Sequence, residues 1–221
     1  LLTLGALSPV LVGQGELDRL LTPAFLHSGP LHLFANLSTL VLLGLMLERL
    51  LGWPRFVLVL TLGQILGALL WLRWPNADGA VGASAALYGL FGAWLLLELK
   101  AREDLPVLFR LPVWWWLLTA ALGVWAEVAF TNLATAAHVG GVAGGFLAAA
   151  VVVHRPLDRL GVTAPRWLLA LAILSILAWL AALGVGVHRA SGLLDEQTLE
   201  ASRSIEPGAD ERSRPTIGPG P

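Results

Sequence analysis

Cysteine is absent from the 221-residue sequence, methionine and tyrosine occur once each, and charged residues make up only 13%. Without cysteine there can be no disulfide, no thiolate nucleophile and no zinc–thiolate centre. A soluble domain carries about 25% charged residues, so this chain has too little charge to cover a wetted surface. Its net charge of −1 offers no basic face to nucleic acid. What fills the chain instead is apolar: 57% of residues are hydrophobic and the mean hydropathy is +0.75.

The apolar residues fall into six runs, at 31–47, 56–72, 81–97, 113–130, 134–153 and 167–187. Each is close to the roughly 20 residues that a helix needs to cross about 30 Å of hydrocarbon. The expected fold is therefore all-α, a polytopic transmembrane bundle of six spans occupying residues 1–190. Residues 191–221, rich in Pro, Gly, Ser and mixed charge, read as a disordered polar tail. Residues 1–30 read as a structured loop segment, and 1–12 as the stub of an earlier helix or the start of a loop. Tryptophans 53, 71, 74, 114–116 and 167 lie near span ends, where amphipathic rings anchor at the headgroups.

Charge in the connections sets an orientation. Arg49, Arg55, Lys100, Arg102, Arg110, Arg155, Arg159 and Arg166 follow the odd-numbered spans, whereas only Arg19 and Arg73 lie on the opposite side. Basic loops stay cytoplasmic, so residues 1–30 and the connections after the second and fourth spans are expected to face outward.

Polar groups inside spans are costly and mark function by default. Those present are His32, Asn36, Gln64, Ser84, Tyr88, Glu127 and His138. His32, Ser84 and His138 each fall within a few residues of the outer end of an odd-numbered span, with Asn36 one turn deeper. At 1.5 Å per residue they share a layer roughly 2–9 Å below the boundary. Packing alone gives three distant segments no reason to converge there. Small residues accompany them: Gly82, Ala85, Gly89 and Gly92 beside Ser84, and Gly141-x-x-x-Gly145 beside His138. Such stripes let helix backbones approach, close enough for a serine–histidine hydrogen bond. Ser84 then reads as a nucleophile whose proton His138 accepts. His32, Asn36 and the Ser84 backbone N–H would meet a developing oxyanion, and Tyr88 would neighbour the His138 ring. Of all carboxylates only Glu127 lies well within a span near the outer side, and a Ser–His dyad without it is the simpler reading.

Each residue has a plainer explanation when taken alone. Small residues, serine among them, populate membrane helix interfaces whatever their chemistry. Gln64 fits a hydrogen bond within the bundle. His27 and His32 lack the carboxylate or cysteine partners of a metal site, so neither metal nor cofactor is expected. A transporter would place polar groups near the midplane, where Gln64 is the sole candidate.

Together, however, TPAFLHSGPLHLFANL, GASAALYGL and AAHVGGVAGG resemble, in order and spacing, the three motifs of the rhomboid intramembrane serine proteases over residues 15–153. The resemblance implies Ser84 as nucleophile, His138 as general base, His32 and Asn36 at the oxyanion and Tyr88 against His138. It implies cleavage of single-pass transmembrane proteins within the lipid bilayer near the outer membrane face, without cofactor, in a multi-pass protein of the cell membrane. Three features depart from the family. Ala85 stands where glycine often follows the serine, and Asp18-Arg19 stands for a Trp-Arg pair. The family's first helix is missing or reduced to residues 1–12, and the span at 167–187 corresponds to an extra C-terminal helix. The alternative implied by the resemblance is a catalytically inactive member that binds transmembrane clients.

Overall fold

In the computed structural model the described residues are 1–74, 79–105, 107, 110–112, 114–115, 135–153 and 164–205. The chain is an all-α, polytopic membrane bundle. Among the described residues, four helices are long and apolar enough to cross a membrane: Pro30–Leu51, Trp53–Trp71, Thr135–Val152 and Arg166–Gln197. A fifth, Ser84–Lys100, has 17 residues and spans about 26 Å at the helical rise. The expected fourth span, with Glu127, lies outside the described residues apart from Trp114 and Trp115.

The amino-terminal segment is folded. Ser8 accepts the N–H of Leu11 and starts the short helix α1, Pro9–Gly13. Two 3₁₀ turns follow, Leu17–Leu20 and Thr22–Phe25. Leu7 pairs with Ala80 through two backbone hydrogen bonds of 2.9 and 3.1 Å, which ties this segment to the stretch before Ser84. Pro30 then opens helix α2, Pro30–Thr39, where a missing N–H costs nothing. The span continues through a π-helical turn, Leu40–Gly44, into α3, Leu45–Leu51. It therefore ends four residues later than the apolar run suggested, because Glu48 and Arg49 continue the helix beyond the hydrophobic stretch.

A single residue joins α3 to α4, Trp53–Trp71. That residue is Gly52, at φ 74°, a conformation only glycine adopts without penalty. Pro54, two residues on, fits the first helical turn. The remaining helices are α5, Ser84–Lys100, α6, Thr135–Val152, and α7, Arg166–Ile205. Helix α7 overruns the expected 167–187 span and continues through residues 191–205, where composition suggested disorder. Ala, Leu, Glu, Gln and Arg are strong helix formers, and they supply eight of these fifteen residues despite the polarity of the stretch. Residues 206–221 lie outside the described residues.

Helices α4, α5 and α6 pack around one another with glycines at the crossings. A methyl group on Gly145 of α6 would collide with the Gly89 carbonyl of α5, and one on Gly92 of α5 with the Val142 carbonyl of α6. One on Gly144 would sit 2.5 Å from the Leu62 carbonyl of α4. Below these crossings a leucine-rich core buries Leu47, Leu51, Val59, Leu90, Leu97 and Ala149. Above them a smaller cluster of Leu7, Ala68, Trp71, Ala85, Ala136 and Ala137 closes the end nearest Ser84. Trp71 is thus a core residue rather than an interfacial anchor, whereas Trp53, Trp74, Trp114 and Trp167 are exposed. The outer faces carry Leu31, Phe34, Leu42, Val151, Leu174 and Leu180, all exposed. Apolar surface of that extent suits lipid rather than water.

Helix α7 lies against α4 and the amino-terminal segment. Trp179 donates to Thr61 Oγ1 at 3.0 Å and meets Phe25 edge to face at 5.6 Å. Arg189 binds Asp18 Oδ2 at 2.7 Å and Glu16 Oε2 at 2.6 Å.

Candidate active site

Helix α5 begins at Ser84 itself, three residues later than the apolar run from Val81 suggested. The delay originates at Gly82, whose φ of +115° turns the chain and whose N–H donates to the Pro23 carbonyl at 2.8 Å. Gly82 was expected to serve helix packing; it lies instead in the turn ahead of α5. Ser84 therefore occupies the first helical position, where backbone N–H groups have no intrahelical acceptor and the helix dipole presents its positive end.

Four residues along, Tyr88 shares the face of Ser84. The α5–α6 crossing brings His138 to both: its Nε2 lies 2.9 Å from Ser84 Oγ, and its ring stacks on Tyr88 with centroids 4.2 Å apart at 16°. Gly141 makes the approach possible, since a Cβ there would strike the Ala85 carbonyl and lie 3.1 Å from Tyr88 Cβ. Gly145 keeps the same crossing close one turn further on.

His32 and Asn36 arrive from α2. A methyl group on Gly82 would come within 2.8 Å of His32 Nε2 and 3.4 Å of Asn36 Nδ2, so both side chains face the turn two residues before Ser84. Asn36 is buried, and its Nδ2 has no hydrogen-bond partner among the described residues. Ser28 Oγ lies 3.0 Å from His32 Nδ1, and the Ser28 backbone N–H donates to the same atom at 3.5 Å. An N–H can be donated only to an unprotonated ring nitrogen, so Nδ1 is the acceptor and Nε2 carries the proton. The His32 Nε2–H and the Asn36 amide are thus two donors on the Gly82 side of Ser84. His27 packs edge to face on His32 at 5.1 Å. Desolvation, then the neighbouring His32, lowers its pKa below the usual histidine value, which favours the neutral ring.

The structure brings Ser84, Tyr88 and His138 into contact and sets His32 and Asn36 beside them; Glu127 lies outside the described residues. The sequence reading missed Ser28, four residues before His32, which fixes the His32 tautomer. It also missed the Pro23 carbonyl that accepts the Gly82 N–H. A backbone carbonyl leaves no residue-type signal, and Ser28 sits in a Gly-Pro loop where serine is commonplace.

This is a multi-pass helical membrane protein with a serine hydroxyl at a helix N-terminus, hydrogen-bonded to a histidine from a second helix. The family model described as Rhomboid domain matches residues 14–155, and the chain belongs to the rhomboid family. It is 31% identical over 179 residues to Rhomboid protease GluP of Bacillus subtilis (strain 168), covering 80% of this chain and 33% of that protein. It is 34% identical over 150 residues to Putative rhomboid protease YdcA of the same organism, covering 65% of this chain and 71% of that protein. RHOMBOID-like protein 1 of Arabidopsis thaliana is 33% identical over 162 residues, 69% of this chain and 39% of that protein. The chain thus spans about a third of GluP and two fifths of the plant relative. No solved structure matches it.

Proposed function

We propose that the chain is an intramembrane serine endopeptidase that cleaves single-pass transmembrane proteins near the outer face of a cell membrane. The observation that carries this reading is the 2.9 Å contact between Ser84 Oγ and His138 Nε2 at the N-terminus of α5. Ser84 Oγ attacks the scissile carbonyl carbon while His138 Nε2 accepts the hydroxyl proton. The carbonyl oxygen becomes an oxyanion that receives hydrogen bonds from His32 Nε2–H, Asn36 Nδ2 and the free N–H groups at the start of α5. As the tetrahedral species collapses, the C–N bond breaks, His138 gives its proton to the leaving amine, and an acyl ester remains on Ser84. Water then attacks that ester, with His138 again taking and returning a proton. Tyr88 stacking holds the imidazole plane through both halves. The outward orientation rests on the asymmetry of basic residues between the two sets of connections.

The test is covalent labelling of Ser84 by a charged, membrane-impermeant fluorophosphonate on intact and on permeabilised cells. Labelling from outside, abolished by both Ser84→Ala and His138→Ala, is the expected outcome. Labelling that survives His138→Ala would remove the dyad, and labelling only after permeabilisation would invert the orientation.

A further inference from the structure

Two apolar stripes face each other across a gap in the bundle. Leu33, Leu37 and Leu40 lie at intervals of four and three on the first span, and Ile176, Leu180 and Leu183 repeat those intervals on α7. Such spacing puts each set on one helix face. All six line a single cavity of about 510 Å³, and all six remain exposed. Helices in direct contact would bury such faces in each other. The far wall is α5, where Ala86 and Leu87 are buried, and the end nearest the start of α2 is formed by Phe25 and His27.

Ligand cavities run from about 300 to 1,000 Å³, with apolar walls and few polar groups. Of the described lining residues, only His27, Asn36 and Trp179 carry polar side-chain atoms. Trp179 already donates to Thr61 Oγ1, and Asn36 turns its Nδ2 toward Gly82. There remains His27 Nε2, buried and without a hydrogen-bond partner among the described residues. Water needs two to four polar partners, which these walls do not offer. Both flanking helices also present exposed apolar residues elsewhere, Phe34 and Leu42 on one and Leu174 and Leu177 on the other. The cavity therefore lies at the lipid boundary.

The stripes each cover about 10 Å of helix axis, and Phe25 and His27 stand at one end of the cavity. A spanning helix is about 30 Å long and has to continue past that end to the aqueous face. A hydrocarbon chain ends inside the membrane and meets no such obstacle. We propose that the cavity holds one acyl chain of a membrane phospholipid, inserted between the first span and α7. Its methyl end lies toward Leu40 and Ile176, and its ester carbonyl accepts the His27 Nε2–H. The chain fills the space that separates α2, the helix carrying His32 and Asn36, from α7.

The test uses the full chain in phosphatidylcholine liposomes containing a trace of phosphatidylcholine with a diazirine at the end of one acyl chain. After irradiation, adducts are located by peptide mass spectrometry. Surrounding lipid reaches the exposed Leu42 and Leu174 but not Leu87, which is 4% exposed. An adduct on Leu87 therefore reports the cavity, and adducts at all three are expected in the parent. In Leu180→Trp, whose ring enters the cavity, the Leu87 adduct should fall about tenfold while the other two stay within about twofold. A parent that labels at Leu42 but not at Leu87, or a Leu87 adduct that Leu180→Trp leaves unchanged, would overturn the proposal. So would labelling of Leu87 by a diazirine fatty acid but not by the phospholipid, or by a diazirine-bearing single-span peptide alone. Should Leu180→Trp fail to reconstitute, Leu183→Trp takes its place with the same expectations. None of these readouts requires Ser84 to react, so the lipid site and the proposed protease activity stand or fall separately.

Discussion

Asn36 separates stability from function more cleanly than any other side chain near Ser84. It is buried, faces Gly82, and its Nδ2 has no hydrogen-bond partner among the described residues. A buried donor left unpaired subtracts from stability, so its retention asks for a reason outside the resting fold. If that reason is the oxyanion of the proposed reaction, Asn36→Leu removes the donor at little cost in volume. The melting temperature in detergent should stay level or rise, while kcat and the rate of phosphonylation fall about 10²-fold, the usual loss for one oxyanion donor. His32→Leu should lower the rate similarly but also loosen the loop, because it abandons Ser28. An Asn36→Leu chain that reacts within about threefold of the parent would exclude Asn36 from the oxyanion site.

Among the elements, the crossing of α5 and α6 sets the Ser84–His138 distance, and glycine sets the crossing. Gly145 has the Gly89 backbone where its Cβ would be, and Gly141 has the Ala85 carbonyl. Neither backbone can yield without moving its helix. Gly145→Val should therefore push α6 from α5, costing about 1–3 kcal/mol. It should slow Ser84 phosphonylation more than its loss of melting temperature implies, because a hydrogen bond weakens steeply with distance. The control is Gly184→Val on α7, where a Cβ meets nothing within 4 Å and no change is expected in either reading. If Gly145→Val labels at the parent rate, close approach at that crossing is not what positions the dyad.

For the molecule as a whole, the parts legible in the sequence were those written in residue type at helical spacing. Long apolar runs announced the spans, and Ser84 with Tyr88, His32 with Asn36, and Gly141 with Gly145 could each be placed on a helix face by counting. Less legible were boundaries set by backbone conformation, such as the turn at Gly82 that makes Ser84 the first residue of α5. Also hidden were contacts made by carbonyls, and the helical continuation past residue 190 that its polar composition masked. The pairing between the chain's two ends belongs to this second group, since nothing in the spacing of Asp18 and Arg189 links residues so far apart. Yet Arg189 of α7 binds both Asp18 and Glu16, and the segment they anchor supplies the Pro23 carbonyl to Gly82 and the Leu20 carbonyl to Gln64. Helix α7 thus bears on the turn before Ser84 through two hydrogen-bonded steps. The ion pair is partly exposed, with side chains 21% and 23% accessible, so its contribution is on the order of 1 kcal/mol at most. A double-mutant cycle of Arg189→Gln and Asp18→Asn, read by thermal unfolding in low-salt detergent, should show coupling of about 0.5–1 kcal/mol. The double variant would then be scarcely less stable than Arg189→Gln alone, and high salt would shrink the coupling. Strict additivity would mean that the Arg189–Asp18 pair adds nothing to the seating of α7, which Trp179, its apolar face and the Glu16 pair would then hold.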